Sequence, residues 1–167
     1  LDRPDAIEAA LEKHTSRRDA ARAVDAYNLG PWRNAQQVLE GKYATCLDTA
    51  VLFASLLENV GLVPVLALAP GHAWVGYWMI DPDKQELPVR QSVTLLKDVI
   101  NYADTEPPAL VLMESTQLCT GNGKTSFADT VAQGKRNIAT DALSAHPELS
   151  QLIDIYTARK PTTSSRV

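Results

Sequence analysis

The chain has few cysteines, few aromatic residues and no excess of positive charge. Its two cysteines, Cys46 and Cys119, form no CxxC pair, which excludes a disulfide framework and a cysteine-based zinc module. The net charge of −4 and the isoelectric point near 5.3 argue against a nucleic-acid-binding surface, which needs clustered lysine and arginine. We therefore expect no direct nucleic-acid partner, no metal or other cofactor, and a reducing, cytoplasmic compartment.

No apolar run is long and uninterrupted enough for a membrane helix. The most apolar stretch, residues 62–80, contains Pro64, Pro70 and Gly71, which indicates two strands and a turn. No secretory signal peptide is recognisable, so we expect no membrane partner. Because the chain begins at Leu1, we expect it to be a piece of a longer polypeptide whose other domains are potential partners.

Hydrophobic residues make up 45% and charged residues 22% of the chain, which is the balance of a globular protein. We predict one domain over residues 1–160 and a flexible tail over 161–167. A helical N-terminal part followed by a helix and a run of strands indicates an α+β fold, with the sheet packed against that helix. The predicted helices cover residues 5–27, 32–40, 45–61, 92–102, 127–138 and 147–158, and the strands cover 63–69, 72–80 and 109–114.

Cys46 is predicted to begin a helix. Thr45 can cap the first turn, and Asp48 stands where the acid of a capping box belongs. A helix N-terminus favours a thiolate, and its unpaired N–H groups can stabilise an oxyanion on an attacked carbonyl. The alternative is that Cys46 is a small buried core residue, as free cysteines often are.

His72 is predicted to open a strand directly after the Pro70-Gly71 turn, beside the helix that begins with Cys46. A cysteine at a helix start and a histidine at a strand start are the pair expected for a Cys–His nucleophile. A third group should orient the imidazole. Asp81 would lie ~30 Å away along the extended strand, whereas Glu114 would meet His72 if its strand runs antiparallel to the His72 strand.

Three segments carry a resemblance to a known family. They are the run Cys46-Leu-Asp-Thr-Ala-Val-Leu-Phe-Ala-Ser-Leu-Leu, the run Gly71-His-Ala-Trp-Val-Gly, and Glu114-Ser-Thr. Together, over about residues 27–138, they resemble the transglutaminase-like superfamily of papain-like cysteine proteins, closest to the transglutaminase-like segment of large bacterial helicase-type defence proteins. The chain departs from the family in having Ala44 in place of a glycine and Glu114 in place of an aspartate.

The resemblance implies a catalytic triad in which Cys46 is the nucleophile, His72 its base and Glu114 the acid that orients the histidine. It implies a thiol protease-like hydrolase that cleaves peptide or amide bonds of a protein or peptide substrate through a thioester. The alternatives are transglutaminase-type transfer of the acyl group to an amine and a non-catalytic binding or scaffold module.

Three further residues are candidates for roles near this triad. Trp32 and Gln37 lie upstream, where relatives carry a second oxyanion donor. Trp74 shares a strand face with His72 and either lines a substrate groove or packs in the core. The run Gly121-Asn-Gly-Lys-Thr resembles a phosphate-binding loop but has Leu118 where that motif needs glycine, so we expect an ordinary loop.

Overall fold

The computed structural model describes residues 35–41, 44–81, 84–89, 91–119 and 125–160. The described helices are α1 (Ala35–Glu40), α2 (Cys46–Asn59), α3 (Leu96–Ala103), α4 (Ser115–Cys119), α5 (Phe127–Ala142) and α6 (Ile155–Arg159), with a 3-10 turn at Pro147–Leu149. The described strands are β1 (Val63–Ala69), β2 (His72–Trp78), β3 (Val93–Leu95), β4 (Leu110–Met113) and β5 (Gln151–Asp154). The predictions for residues 1–34, 120–124 and 161–167 lie outside the described residues.

The five strands form one antiparallel sheet in the order β3-β5-β1-β2-β4. Strands β1 and β2 form a hairpin in which Ala69 pairs with His72, so only Pro70 and Gly71 make the turn. Gly71 has a φ of +76°, which a residue with a side chain rarely adopts. This turn places His72 at the first position of β2.

Helices cover both faces of the sheet. On one face, α2 packs its small residues, such as Ala50 and Ala54, against Leu66 and Val75. On the other face, Trp74 and Trp78 of β2 belong to the core that includes residues of α3 and α5. The side chains of a strand alternate between the two faces, and β1 is buried at every position because both faces are covered. The predicted α+β class, with a helix packed on an antiparallel sheet, is confirmed.

The structure corrects two predicted helices. The helix over residues 92–102 begins only at Leu96, because Val93–Leu95 pairs with β5 as a short strand. The helix over residues 147–158 is wrong, because Gln151–Asp154 forms β5 between β3 and β1. Leu152 is fully buried in that strand, so pairing within the sheet overrides the local helix signal. Only the short helix α6 follows.

Helix α5 lies directly on the backbone of β4 at Gly134. A methyl group added at Gly134 would stand 2.4 Å from the carbonyl oxygen of Leu112 and 2.6 Å from the backbone nitrogen of Met113. Backbone atoms cannot move aside as a flexible side chain can, so only glycine permits this approach. The contact sets how close the inward-facing side chains of α5 come to the end of β4.

Substitution of Gly134 by alanine is expected to lower the free energy of unfolding by about 1–3 kcal/mol, because the helix must move off the strand. Urea unfolding of the two proteins measures the difference. Ala132→Gly, at an exposed position of α5, is the control for helix propensity and is expected to cost about 1 kcal/mol. An alanine variant as stable as the parent protein would show that the close contact is not required.

Candidate active site

The start of α2 is fixed by the predicted capping box. The Thr45 hydroxyl accepts a hydrogen bond from the Asp48 backbone N–H at 3.2 Å, and the Asp48 carboxylate accepts one from the Thr45 N–H at 2.8 Å. Cys46 is the first residue of the helix and is partly exposed. The buried Thr49 hydroxyl donates to the Cys46 carbonyl oxygen at 2.9 Å and lies 3.2 Å from the Ser115 hydroxyl. Hydrogen bonds therefore hold the helical turn from which the Cys46 side chain projects.

His72 lies between the other two residues of the predicted triad. Its Nε2 atom is 2.6 Å from Glu114 Oε2. The Cys46 thiol interacts with the same imidazole, which lowers the pKa of Cys46 and raises the pKa of His72. Because Nε2 is engaged with the carboxylate, Nδ1 is the ring nitrogen that remains for the sulfur. The structure thus brings Cys46, His72 and Glu114 together in the order expected for a nucleophile, a base and an orienting acid.

Glu114 directly follows β4, which runs antiparallel to β2 with Met113 opposite Val75. The end of β4 therefore meets the start of β2, as the sequence predicted. Glu114 Oε1 accepts hydrogen bonds from the Thr116 backbone N–H at 3.1 Å and from the Thr116 hydroxyl at 2.6 Å. The Glu114 side chain is only 6% exposed. Asp81 lies beyond the far end of β2, which excludes it as the partner of His72.

The electrostatics of these three groups favour a thiolate–imidazolium pair. Hydrogen bonds to Cys46 and then to Glu114 raise the pKa of His72 to about 10, although burial opposes the shift. Burial raises the pKa of the Cys46 thiol, but hydrogen bonds from His72, Ala73 and Leu47 and the charge of His72 outweigh it and lower that pKa. Burial also opposes ionisation of Glu114, but His72 and Thr116 lower its pKa to about 2. Such shifts are the signature of an activated cysteine.

Trp74 packs beneath the imidazole instead of lining a groove. The two rings are stacked with their centroids 5.3 Å apart and their planes inclined by 22°. The exposed fraction of Trp74 is zero, so the ring offers no surface to a substrate, and the predicted groove position is wrong for this structure. The alternative prediction, that Trp74 packs in the core, agrees with its burial. The indole ring stacks against the His72 imidazole.

The oxyanion candidates are less defined than the triad. Trp32 lies outside the described residues. Gln37 lies in α1 with an exposed side chain. Its backbone carbonyl oxygen accepts a hydrogen bond from the Gly41 backbone N–H at 2.9 Å. Its role as an oxyanion donor stays a prediction. The backbone N–H groups of Ala73 and Leu47 lower the pKa of the Cys46 thiol, so backbone donors are present beside the nucleophile.

Sequence reasoning missed two residues of α5, one that contacts Glu114 and one whose carboxyl group interacts electrostatically with His72. Asn137 donates from Nδ2 to Glu114 Oε2 at 2.8 Å, and the same atom lies 3.4 Å from His72 Nε2. Asp141, one turn further along the helix, is partly buried, and this burial raises its pKa while the charge of His72 lowers it. The spacing of the sequence could have indicated both residues. Asn137 and Asp141 each stand three residues after a buried position of α5, Gly134 and Ile138, and so lie on the inward side of the helix.

Comparison with protein-family models, curated proteins and solved structures finds no match to this chain. The interpretation of the site therefore depends on its geometry. None of the helices in the described part of the chain is both long and apolar enough to cross a membrane. Within the same residues, no group of three His, Cys, Asp or Glu side chains is arranged to hold a metal ion.

The Glu114 carboxylate is expected to make folding stability depend on pH. Its pKa is about 2 in the folded protein and 4.5 in an unperturbed glutamate, so its contribution is present above pH 4.5 and is lost as the pH falls toward 2. Between pH 6 and pH 3 this carboxylate should account for a loss of about 2 kcal/mol. Urea unfolding of Glu114→Gln at both pH values should show a correspondingly smaller difference, while Glu106→Gln, at an exposed carboxyl, should keep the difference of the parent protein. Equal pH dependence in all three proteins would contradict the assignment.

Proposed function

We propose that this chain is a cysteine hydrolase that acts on peptide or amide bonds, built on a papain-like domain of the transglutaminase-like type. Cys46 is the nucleophile, His72 the general base and acid, and Glu114 the residue that orients His72. One observation carries the proposal. The His72 imidazole lies 2.6 Å from the buried Glu114 carboxylate, and its interaction with the thiol at the start of α2 raises the pKa of His72 and lowers that of Cys46.

The first half of the reaction forms a thioester. The Cys46 thiolate attacks the carbonyl carbon of the substrate, and the negative charge moves to the carbonyl oxygen. The carbon–nitrogen bond then breaks, and the His72 imidazolium gives its proton to the departing amine. Glu114 stays ionised throughout, because its part is to hold the ring and balance its charge.

The second half regenerates the enzyme. His72, now neutral, takes a proton from a water molecule as that water attacks the thioester carbon. The carbon–sulfur bond breaks, the carboxylic acid product leaves, and the thiolate–imidazolium pair returns. An amine in place of water would give acyl transfer by the same steps.

The oxyanion of both tetrahedral intermediates needs donors beside the sulfur. The Cys46 and Leu47 N–H groups belong to the first turn of α2, where backbone N–H groups have no partner within the helix. They supply a donor pair of the kind that stabilises such oxyanions. Gln37 and Trp32 remain our candidates for a side-chain donor from the segment before the helix.

Incubation with an unfolded protein such as casein, with and without a fluorescent primary amine, tests the proposal. Hydrolysis predicts new amino termini that accumulate with the wild-type protein and are absent with Cys46→Ser. Incorporation of the amine without cleavage would replace hydrolysis by acyl transfer. Absence of both products, together with a Cys46 thiol of ordinary reactivity, would favour a scaffold and overturn the proposal.

A further inference from the structure

A chain of hydrogen bonds runs along α5 from the surface to the Glu114 carboxylate. The exposed Arg136 donates to Gln133 Oε1 from Nε at 3.1 Å and from Nη2 at 2.6 Å. Gln133 donates from Nε2 to Asn137 Oδ1 at 2.8 Å. Asn137 then donates from Nδ2 to Glu114 Oε2, also at 2.8 Å. The residues are spaced by three or four along the helix, so they lie on neighbouring turns.

The direction of this chain is set at its outer end. A guanidinium group has donors only, so the Gln133 oxygen must face Arg136. The Gln133 NH2 group is then left to face Asn137, and it requires an acceptor there. Asn137 must therefore turn its oxygen toward Gln133 and its NH2 group toward Glu114. Each amide has one favourable orientation because the guanidinium has only donors at one end of the chain and the Glu114 carboxylate has only acceptors at the other.

We propose that Asn137 is a positioning residue of the active site, and that Arg136 and Gln133 hold its amide in the one orientation that donates to Glu114. The inference assigns these residues to the same site as the proposed hydrolase and so rests on that function. It requires no charge on Asn137 and no contact between Asn137 and a substrate.

The consequence for Glu114 is that every direction around its carboxylate is occupied by a donor. Thr116 supplies two donors to Oε1, while His72 and Asn137 supply one each to Oε2. A carboxylate held in this way cannot rotate away from the imidazole, and its ionised form is favoured over its protonated form. If the Asn137 amide turned over, its oxygen would face Oε2 instead, and two acceptors would repel each other.

Gln133→Glu tests the direction of the chain with almost no change in shape. The new carboxylate can accept from Arg136 but has no N–H for Asn137, so the Asn137 oxygen loses its donor, and residue 133 then competes with Glu114 for the Asn137 NH2 group. The carboxyl carbon of Glu114, followed by NMR in isotope-labelled protein, should then show a pKa raised by roughly one unit or more. Asn137→Leu, which only removes the donor, should raise that pKa by less.

Ala132→Glu is the matched control for charge. Residue 132 is an exposed neighbour on the same helix, and the substitution adds the same charge without an oxygen that replaces the one on Gln133. A Glu114 shift in Gln133→Glu that clearly exceeds the shift in Ala132→Glu supports the proposal. Equal shifts in the two variants, or no shift in Asn137→Leu, would overturn it.

The test of the Asn137 orientation can fail or succeed independently of the test of the proposed hydrolase. A wild-type Cys46 with an ordinary thiol pKa would contradict the hydrolase, yet the Glu114 titration would still decide the orientation of the amide. A low thiol pKa in the wild type with no difference between Gln133→Glu and its control would retain the hydrolase and remove Asn137 from the site.

Discussion

Replacement of His72 by alanine is expected to slow the alkylation of Cys46 by iodoacetamide at pH 6 by on the order of 100-fold. The imidazole provides both the hydrogen bond and the charge that lower the thiol pKa. Without them, burial raises that pKa and is opposed only by the backbone hydrogen bonds from Ala73 and Leu47. A thiol with a pKa near or above ~8.5 is less than about 1% ionised at pH 6, and only the thiolate reacts.

The measurement is clearest in a Cys119→Ser background, where Cys46 is the one thiol left. His146→Ala is the matched control, because the His146 side chain is 72% exposed and, among the described residues, its ring bonds only to Glu148. In the His146→Ala control, Cys46 should be alkylated at the same rate as in the Cys119→Ser protein. If His72→Ala and His146→Ala react equally fast, the imidazole does not activate the sulfur.

The exchange of Glu114 for glutamine should be nearly as severe as the loss of His72, although the two side chains have the same shape. Both Thr116 groups donate to Oε1, so the glutamine oxygen must occupy that position. Its NH2 group then replaces Oε2 and faces His72 Nε2 and Asn137 Nδ2, which held the carboxylate. His72 must accept at Nε2, which leaves its proton on Nδ1 and leaves no site to take the thiol proton.

We expect a loss of turnover of roughly 10³–10⁴-fold, the scale seen when a histidine is held in the wrong tautomer. The kinetic assay with a cleaved substrate measures it, and alkylation of Cys46 at pH 6 provides a readout independent of substrate. Glu114→Asp keeps the charge but is one methylene shorter, so it should retain more activity than the glutamine variant. A glutamine variant that is as active as the aspartate variant would show that the charge and acceptor character of Glu114 do not matter.

The positions of Cys46 and His72 could be predicted because each is set by local chemistry. Thr45 and Asp48 fix where the Cys46 helix begins, and the Pro70-Gly71 turn fixes where the strand of His72 begins. Glu114 needed one further assumption, that its strand runs antiparallel to the His72 strand, and the register of β4 against β2 bears it out.

The features that the sequence could not provide depend on contacts between distant segments. Residues 151–154 have a helical context but form a strand, because the sheet has an open position between β3 and β1. Asn137 reaches Glu114 only because Gly134 lets α5 lie on the β4 backbone. Trp74 shares a strand face with His72, as predicted. The burial of the Trp74 side chain depends on residues of α3 and α5, which pack in the same core cluster.

The pH dependence of Cys46 alkylation in the Cys119→Ser protein tests the central claim most directly. Because His72 lowers the pKa of the Cys46 thiol, the rate should rise to its plateau at a clearly lower pH than the rate of the same protein carrying His72→Ala. A rate that instead rises steadily up to pH 8.5 or beyond, as for an ordinary buried thiol, would contradict the account.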